Sequence, residues 1–375
     1  MVVQAMLYYS PKPCKHSNLS EQYSVGAAEE PQSVSAPRPR APGAALILTA
    51  HTFVSPTILL GYGSPMNSQP GGAVPDRKDI TFDSNGVDCA AWLYLPDSTE
   101  PAPVIVMAHG LGGTRGMRLD AYAERFRAEG YACLVFDYRY FGDSGGRPRQ
   151  LLDIESQLQD WAAAIACARG RHDVDGSRIV LWGSSFGGGH VIVAAARDQR
   201  VAAVVAQCPF TDGIASGLAS NTWTSVKLSV RAVRDLLGSV IGRPPVMVAT
   251  AGRPGTTALM TSPDSYDGYL ALAPDSDESF HNRVAARFAL QIVRHRPGRR
   301  AKDVRCPILF VVCNTDSVAP AKATLRYART APLGEIETYD AGHFDIYLGA
   351  DFEQVVADQI AFLLRTVPPL VAADQ

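Results

Sequence analysis

Residues 178–190 read RIVLWGSSFGGGH, an apolar run, a glycine-flanked serine and a stretch of small residues. The run is strand-like and the small residues open a helix, so the pentapeptide GSSFG, Gly183 to Gly187, sits on a sharp strand-to-helix turn. A G-x-S-x-G turn needs glycine on both sides because the chain bends tightly there and neighbouring backbone comes close. Ser185 holds the central position, where the turn presents a hydroxyl on strained backbone; Ser184 does not. A glycine-rich turn whose hydroxyl merely caps the next helix is the simpler reading. The strand–turn–helix context favours the nucleophile.

Working outward, the same alternation repeats. PVIVMAHG, YACLVFDYR, VAAVVAQCP and PILFVVCNTD are near-continuous apolar strands, the pattern of strands covered by helices on both faces. ITFDSNGVDCAAWLYLP reads as a hairpin turning at Asn85-Gly86. Helices are expected at 117–129, 151–169, 187–198, 321–330 and 351–365, which gives an α/β layered domain. From Pro209 to Val304 the alternation stops, and a segment that long is improbable as bare loop. It reads as a small, mainly helical cap, with a helix-like NRVAARFALQIVRHR near its end. The expected division is an extension over 1–75, disordered or loosely packed, a core over 76–210 and 301–370, and a cap over 211–300.

Composition narrows the function classes. The 375 residues carry 35 Lys+Arg against 37 Asp+Glu, a formal charge of −2, so no global basic field is available to hold nucleic acid. AALILTAHTFVSPTILLGYGSP is the most membrane-like stretch, but His51 and Pro56 interrupt it well short of the roughly 20 apolar residues a span needs. Neither a secretory signal nor stable membrane insertion is expected. Seven cysteines lack the spacing of a zinc site, and Cys133, Cys167, Cys208, Cys306 and Cys313 lie in apolar runs, as buried free thiols of a reducing, cytoplasmic setting do. The histidines are dispersed, so neither metal nor cofactor is expected.

A serine hydroxyl needs an imidazole to take its proton, and the imidazole needs a third group to fix its tautomer. Asp316 follows the strand PILFVVCNT, and His343 follows EIETYD in the loop AGHFDIY, so both fall at strand ends in the order serine, acid, histidine. Asp340 and Asp345 are the alternative acids, too near His343 in sequence to orient it easily. An oxyanion hole would use the backbone N–H of Leu111, in His109-Gly110-Leu111-Gly112-Gly113, and of Phe186 after the serine. His109 is expected to order that loop and border the pocket. Phe210, Trp223 and Phe280 are candidates for an apolar pocket wall, or else pack the cap's own core. Arg139 and Asp143 are expected to form salt bridges within loops.

Taken in order, HGLGG, FDYRYFGDSGG, GSSFGGG, PFTDG, NTDSVAP and GHFDIYLG resemble the α/β-hydrolase superfamily. More narrowly, over residues 80–368 they are similar to the dienelactone-hydrolase-like and X-Pro-dipeptidyl-peptidase-like serine hydrolases, a group that includes polyketide transferases. The resemblance implies an eight-stranded, mostly parallel sheet, an insertion after Pro209, and Ser185, Asp316 and His343 as nucleophile, acid and base. Dienelactone hydrolases proper use cysteine where this chain has serine. The expected activity is hydrolysis of a carboxylic ester or thioester through an acyl-serine. Acyl transfer, peptidase action and a non-catalytic binding scaffold are the alternatives. A small-molecule acyl substrate is the expected partner, and the cap or the extension offers surface for a homodimer.

Overall fold

The structure is a computed structural model that describes Lys15–His16 and residues 77–218, 222–274 and 278–369. The extension expected over 1–75 lies outside the described residues apart from Lys15–His16, which form a two-residue edge strand, β1. β2 (Arg77–Ser84) and β3 (Val87–Tyr94) make the expected hairpin. Asn85 and Gly86 at its tip have φ 53° and 81°, as a two-residue primed turn requires. The chain continues through β4 (Ala102–Ala108), α1 (Leu119–Ala128), β5 (Ala132–Phe136), α2 (Ile154–Arg169), β6 (Val174–Ser184), α3 (Phe186–Arg197) and β7 (Ala203–Gln207). Helix α2 starts three residues later than its apolar pattern because the Asp153 side chain accepts the Ser156 N–H at 2.9 Å and caps it.

The insertion follows, with α4 (Gly213–Leu218), α5 (Thr222–Val240), β8 (Met247–Ala251), β9 (Ala258–Met260), α6 (Ser265–Ala271), β10 (Val284–Ala285) and α7 (Ala289–Ile292). It is less helical than expected, since β8, β9 and β10 form a small three-stranded sheet. The stretch 282–296 does not form one helix. Its start is drawn into that sheet, and the Ala285 and Ala286 N–H groups donate to Gln150 O and Val246 O, leaving only a 3₁₀ turn and α7. β11 (Ile308–Cys313), α8 (Ala321–Ala328), β12 (Gly334–Tyr339) and α9 (Gly349–Thr366) complete the chain.

The main sheet runs β1-β2-β3-β5-β4-β6-β7-β11-β12, parallel from β5 to β12. α1 and α9 pack together, and α2 packs with α3, so both faces are covered and β4, β5, β7 and β11 are buried along their whole length. Trp161 and Trp182 are fully buried in this core, and the Trp182 indole N–H donates to Gln359 Oε1 at 2.8 Å. Cys133, Cys208 and Cys313 are buried free thiols, as expected, and Cys306 is a free thiol but only partly buried; Cys167 is instead disulfide-bonded. Among the described residues no helix is long and apolar enough to cross a membrane.

Candidate active site

Four loops converge at the C-terminal ends of β4, β6, β11 and β12, and each carries at least one residue singled out in the sequence. Ser185 follows β6 directly, with φ 55° and ψ −114°, a conformation non-glycine residues rarely adopt. Backbone bonds on both sides hold it: its N–H donates to Gln207 O at 2.9 Å, and its carbonyl accepts from Phe210 N at 2.8 Å. The flanking glycines are needed for space. A Cβ at Gly187 would lie 2.5 Å from His109 O, and one at Gly183 would collide with the Gly187 carbonyl.

The Ser185 Oγ lies 2.9 Å from His343 Nε2, and His343 Nδ1 lies 2.6 Å from Asp316 Oδ2. The other carboxylate oxygen of Asp316 accepts the N–H groups of Val318 and Ala319 at 2.8 and 2.6 Å, which fixes its orientation. Two backbone bonds, Asn314 N to Tyr339 O and Thr315 N to Ala341 O, tie the acid's loop to the histidine's. Burial works against a charged imidazole at His343, but the adjoining Asp316 carboxylate outweighs it and holds the pKa well above the ordinary 6.5. Asp340 accepts from the Asn314 side-chain amide, a further tie between the two loops, and Asp345 accepts from the Gly342 N–H of its own loop.

Leu111 and Phe186 both border the space beside Ser185. Phe186 opens α3, where the first N–H groups have no intrahelical acceptor. The loop carrying Leu111 is fastened at three points. His109 Nδ1 contacts Gly110 O at 2.9 Å, the Tyr269 hydroxyl of α6 donates to Leu111 O at 2.9 Å, and Arg115 donates to Asp137 through its N–H and its guanidinium at 2.7 and 2.8 Å. Burial lowers the His109 pKa to about 4, so its imidazole is neutral and its 3.8 Å approach to Asp137 is not an ion pair. Burial likewise lifts the Asp137 pKa to about 6, against the pull of Arg115. Asp143 binds Arg115 at 2.7 Å, a salt bridge between loops as expected, whereas Arg139 binds Asp160 of α2 at 2.7 Å and so ties its loop to a helix.

Two spaces meet at Ser185. A pocket of about 30 Å³, with room for a water molecule, touches His109, Leu111, Ser185, Tyr269, His343 and Tyr347. A cavity of about 480 Å³ lies between the elbow and the insertion. Phe210 lines it as expected, together with Leu228, Met260 and Ile292, and no lining residue among those described is charged. Trp223 and Phe280 do not line it. Trp223 is 65% exposed, because α5 turns Thr224 and Ala232 inward instead, and Phe280 packs against Tyr269, 5.7 Å between ring centres. Tyr269, Met260, Leu228 and Ile292 were not anticipated, since no turn or spacing signal marks them.

The architecture and these strand-end loops are those of an α/β hydrolase, and the profile of the serine aminopeptidase S33 family matches residues 99–347, so the chain belongs to that family. It is similar to the quorum-quenching protein AidA of Acinetobacter baumannii, 58% identical over 306 residues, covering 82% of this chain and 99% of that one. It is also similar to a thiohydrolase of Eupenicillium brefeldianum, 26% identical over 308 residues, covering 79% of this chain and 96% of the relative. Among solved structures, the α/β hydrolase GrgF from Penicillium shares the fold with a TM-score of 0.66 at 24% identity, covering 77% of this chain and 98% of that one.

Proposed function

We propose that this chain is a serine hydrolase that cleaves an ester or thioester of a small, neutral acyl compound through an acyl-serine. The observation that carries the reading is the Ser185–His343–Asp316 relay opening into an uncharged cavity. In the proposed mechanism His343 Nε2 takes the Ser185 proton as Oγ attacks the carbonyl carbon, and Asp316 stabilises the imidazolium. The Leu111 and Phe186 N–H groups receive the charge that develops on the carbonyl oxygen. Collapse breaks the bond to the alcohol or thiol, which leaves with the proton from His343. A water activated by the same imidazole then attacks the acyl carbon and restores the serine.

The lining argues against an exopeptidase, which must hold a substrate ammonium, because no carboxylate faces the cavity among the described residues. The name of the Acinetobacter relative supplies the biological setting we carry over, quorum quenching, with the ester bond of a signal molecule as the target. The test is intact mass after treatment with a fluorophosphonate, wild type beside Ser185→Ala, followed by turnover of open-chain esters, lactones, thioesters and amides. One adduct mapped to Ser185 and absent from the variant is expected, with esters or thioesters turned over far faster than amides. No adduct on folded wild type overturns the reading in favour of a binding protein. Product carrying an added alcohol or amine in place of water redirects it to acyl transfer.

A further inference from the structure

Helix α5 turns its more polar face inward. Thr224, Ala232 and Asp235 are buried, Leu228 borders the cavity, and a stripe of larger apolar side chains faces out. Trp223, Val226, Val230, Val233, Leu237 and Val240 recur at spacings of three and four, with exposures from 46% at Val226 to 80% at Val240. Leu236 and Ile241 widen the stripe. Together these side chains expose on the order of 800 Å², more than the roughly 300–600 Å² of the largest apolar patch on an ordinary monomer. A patch of that size marks an interaction surface.

Charge narrows what that partner is. Lys227, Arg231 and Arg234 lie along one flank of the stripe, and the only carboxylate of the helix, Asp235, is buried against Arg287 at 2.8 Å. The exposed charge of α5 is therefore all positive. An antiparallel two-fold pairing of α5 with the same helix of a second copy would set these basic flanks against each other, which is unfavourable. An anionic surface is favoured by the same residues. An amphipathic helix with aromatic and aliphatic residues on one side and Lys/Arg beside them is the pattern of a helix lying in a membrane interface. Trp223 at one end, with the Lys227 ammonium 5.7 Å from its ring centre, suits the boundary between headgroups and acyl chains.

We propose that α5 docks this chain on an anionic lipid bilayer, its apolar stripe in the headgroup–acyl boundary and Lys227, Arg231 and Arg234 on lipid phosphates. The docking is peripheral and does not rest on the serine-hydrolase reading. It does place the cavity wall formed by Ser225, Leu228 and Ser229 next to the lipid, where apolar ligands concentrate.

The experiment is co-sedimentation of the purified full-length chain with vesicles of phosphatidylcholine alone or with one third phosphatidylglycerol, at low and high salt. At least about tenfold tighter binding to the anionic vesicles is expected, falling as salt rises. Val230→Asp with Leu237→Asp should abolish sedimentation. Lys227→Gln, Arg231→Gln and Arg234→Gln combined should lower binding to anionic vesicles by about tenfold or more while leaving the apolar stripe intact, so a folding failure of the first variant does not shield the proposal. The proposal falls if wild type stays in the supernatant with both vesicle types, or if wild type and the charge variant bind alike. It also falls if light scattering shows a dimer that Val230→Asp splits and that ignores vesicles, which would make the stripe an interface between copies.

Discussion

The β6–α3 elbow and helix α5 of the insertion both flank the cavity, yet they follow different rules. At the elbow, backbone packing dictates the residue at each position: Gly183 and Gly187 leave no space for a Cβ, and Ser185 holds an uncommon φ. On the outer face of α5 only the distribution of apolar and polar side chains matters, and many sequences would satisfy it. Steric necessity leaves a signature in sequence; surface chemistry leaves a pattern open to more than one interpretation.

Ser185→Ala should break the elbow's side of the contrast outright, lowering kcat/KM by about 10⁴-fold or more on an activated ester with little change in melting temperature. Asp316→Asn should cost about 10²- to 10⁴-fold, and it also tests the electrostatics. His343 must be neutral to accept the serine proton, so activity falls as pH drops below its pKa, which Asp316 holds above 6.5. Without that carboxylate the acid limb of the pH–rate profile should move to lower pH. An unmoved limb would show that another group sets it. Gly187→Ala, which forces a Cβ onto the His109 carbonyl, should cost about 1–3 kcal/mol of stability, read as a melting temperature several degrees lower. In the cavity wall, Ile292→Ala should shift acyl-chain preference toward longer chains by about tenfold in relative kcat/KM. Trp223→Ala should change turnover of a water-soluble ester by less than about twofold, since the indole lies outside the cavity; a large loss would return Trp223 to the pocket wall.

The sheet was legible because buried strands need unbroken apolar runs and because Asn85-Gly86 marks a hairpin. The relay was legible for a related reason. In a parallel sheet the strand ends gather in space, so Ser185, Asp316 and His343 meet although 158 residues separate the serine from the histidine. The insertion was not legible to the same degree. A mainly helical reading does not say which face of a helix turns inward, and on α5 the larger residues face out, so Trp223 lies in neither the pocket wall nor the cap's core. The break of 282–296 into strand, 3₁₀ turn and short helix depends on bonds to Gln150 and Val246, distant acceptors that no local pattern announces.

The bond from the Tyr269 hydroxyl to Leu111 O joins α6 of the insertion to the loop after β4. Any movement that lifts α6 away from that loop must break this bond, and so loosens the loop proposed to supply an oxyanion donor. Tyr269 also borders the small pocket beside Ser185, so the placing of the proposed oxyanion donor is coupled to the packing of the insertion itself.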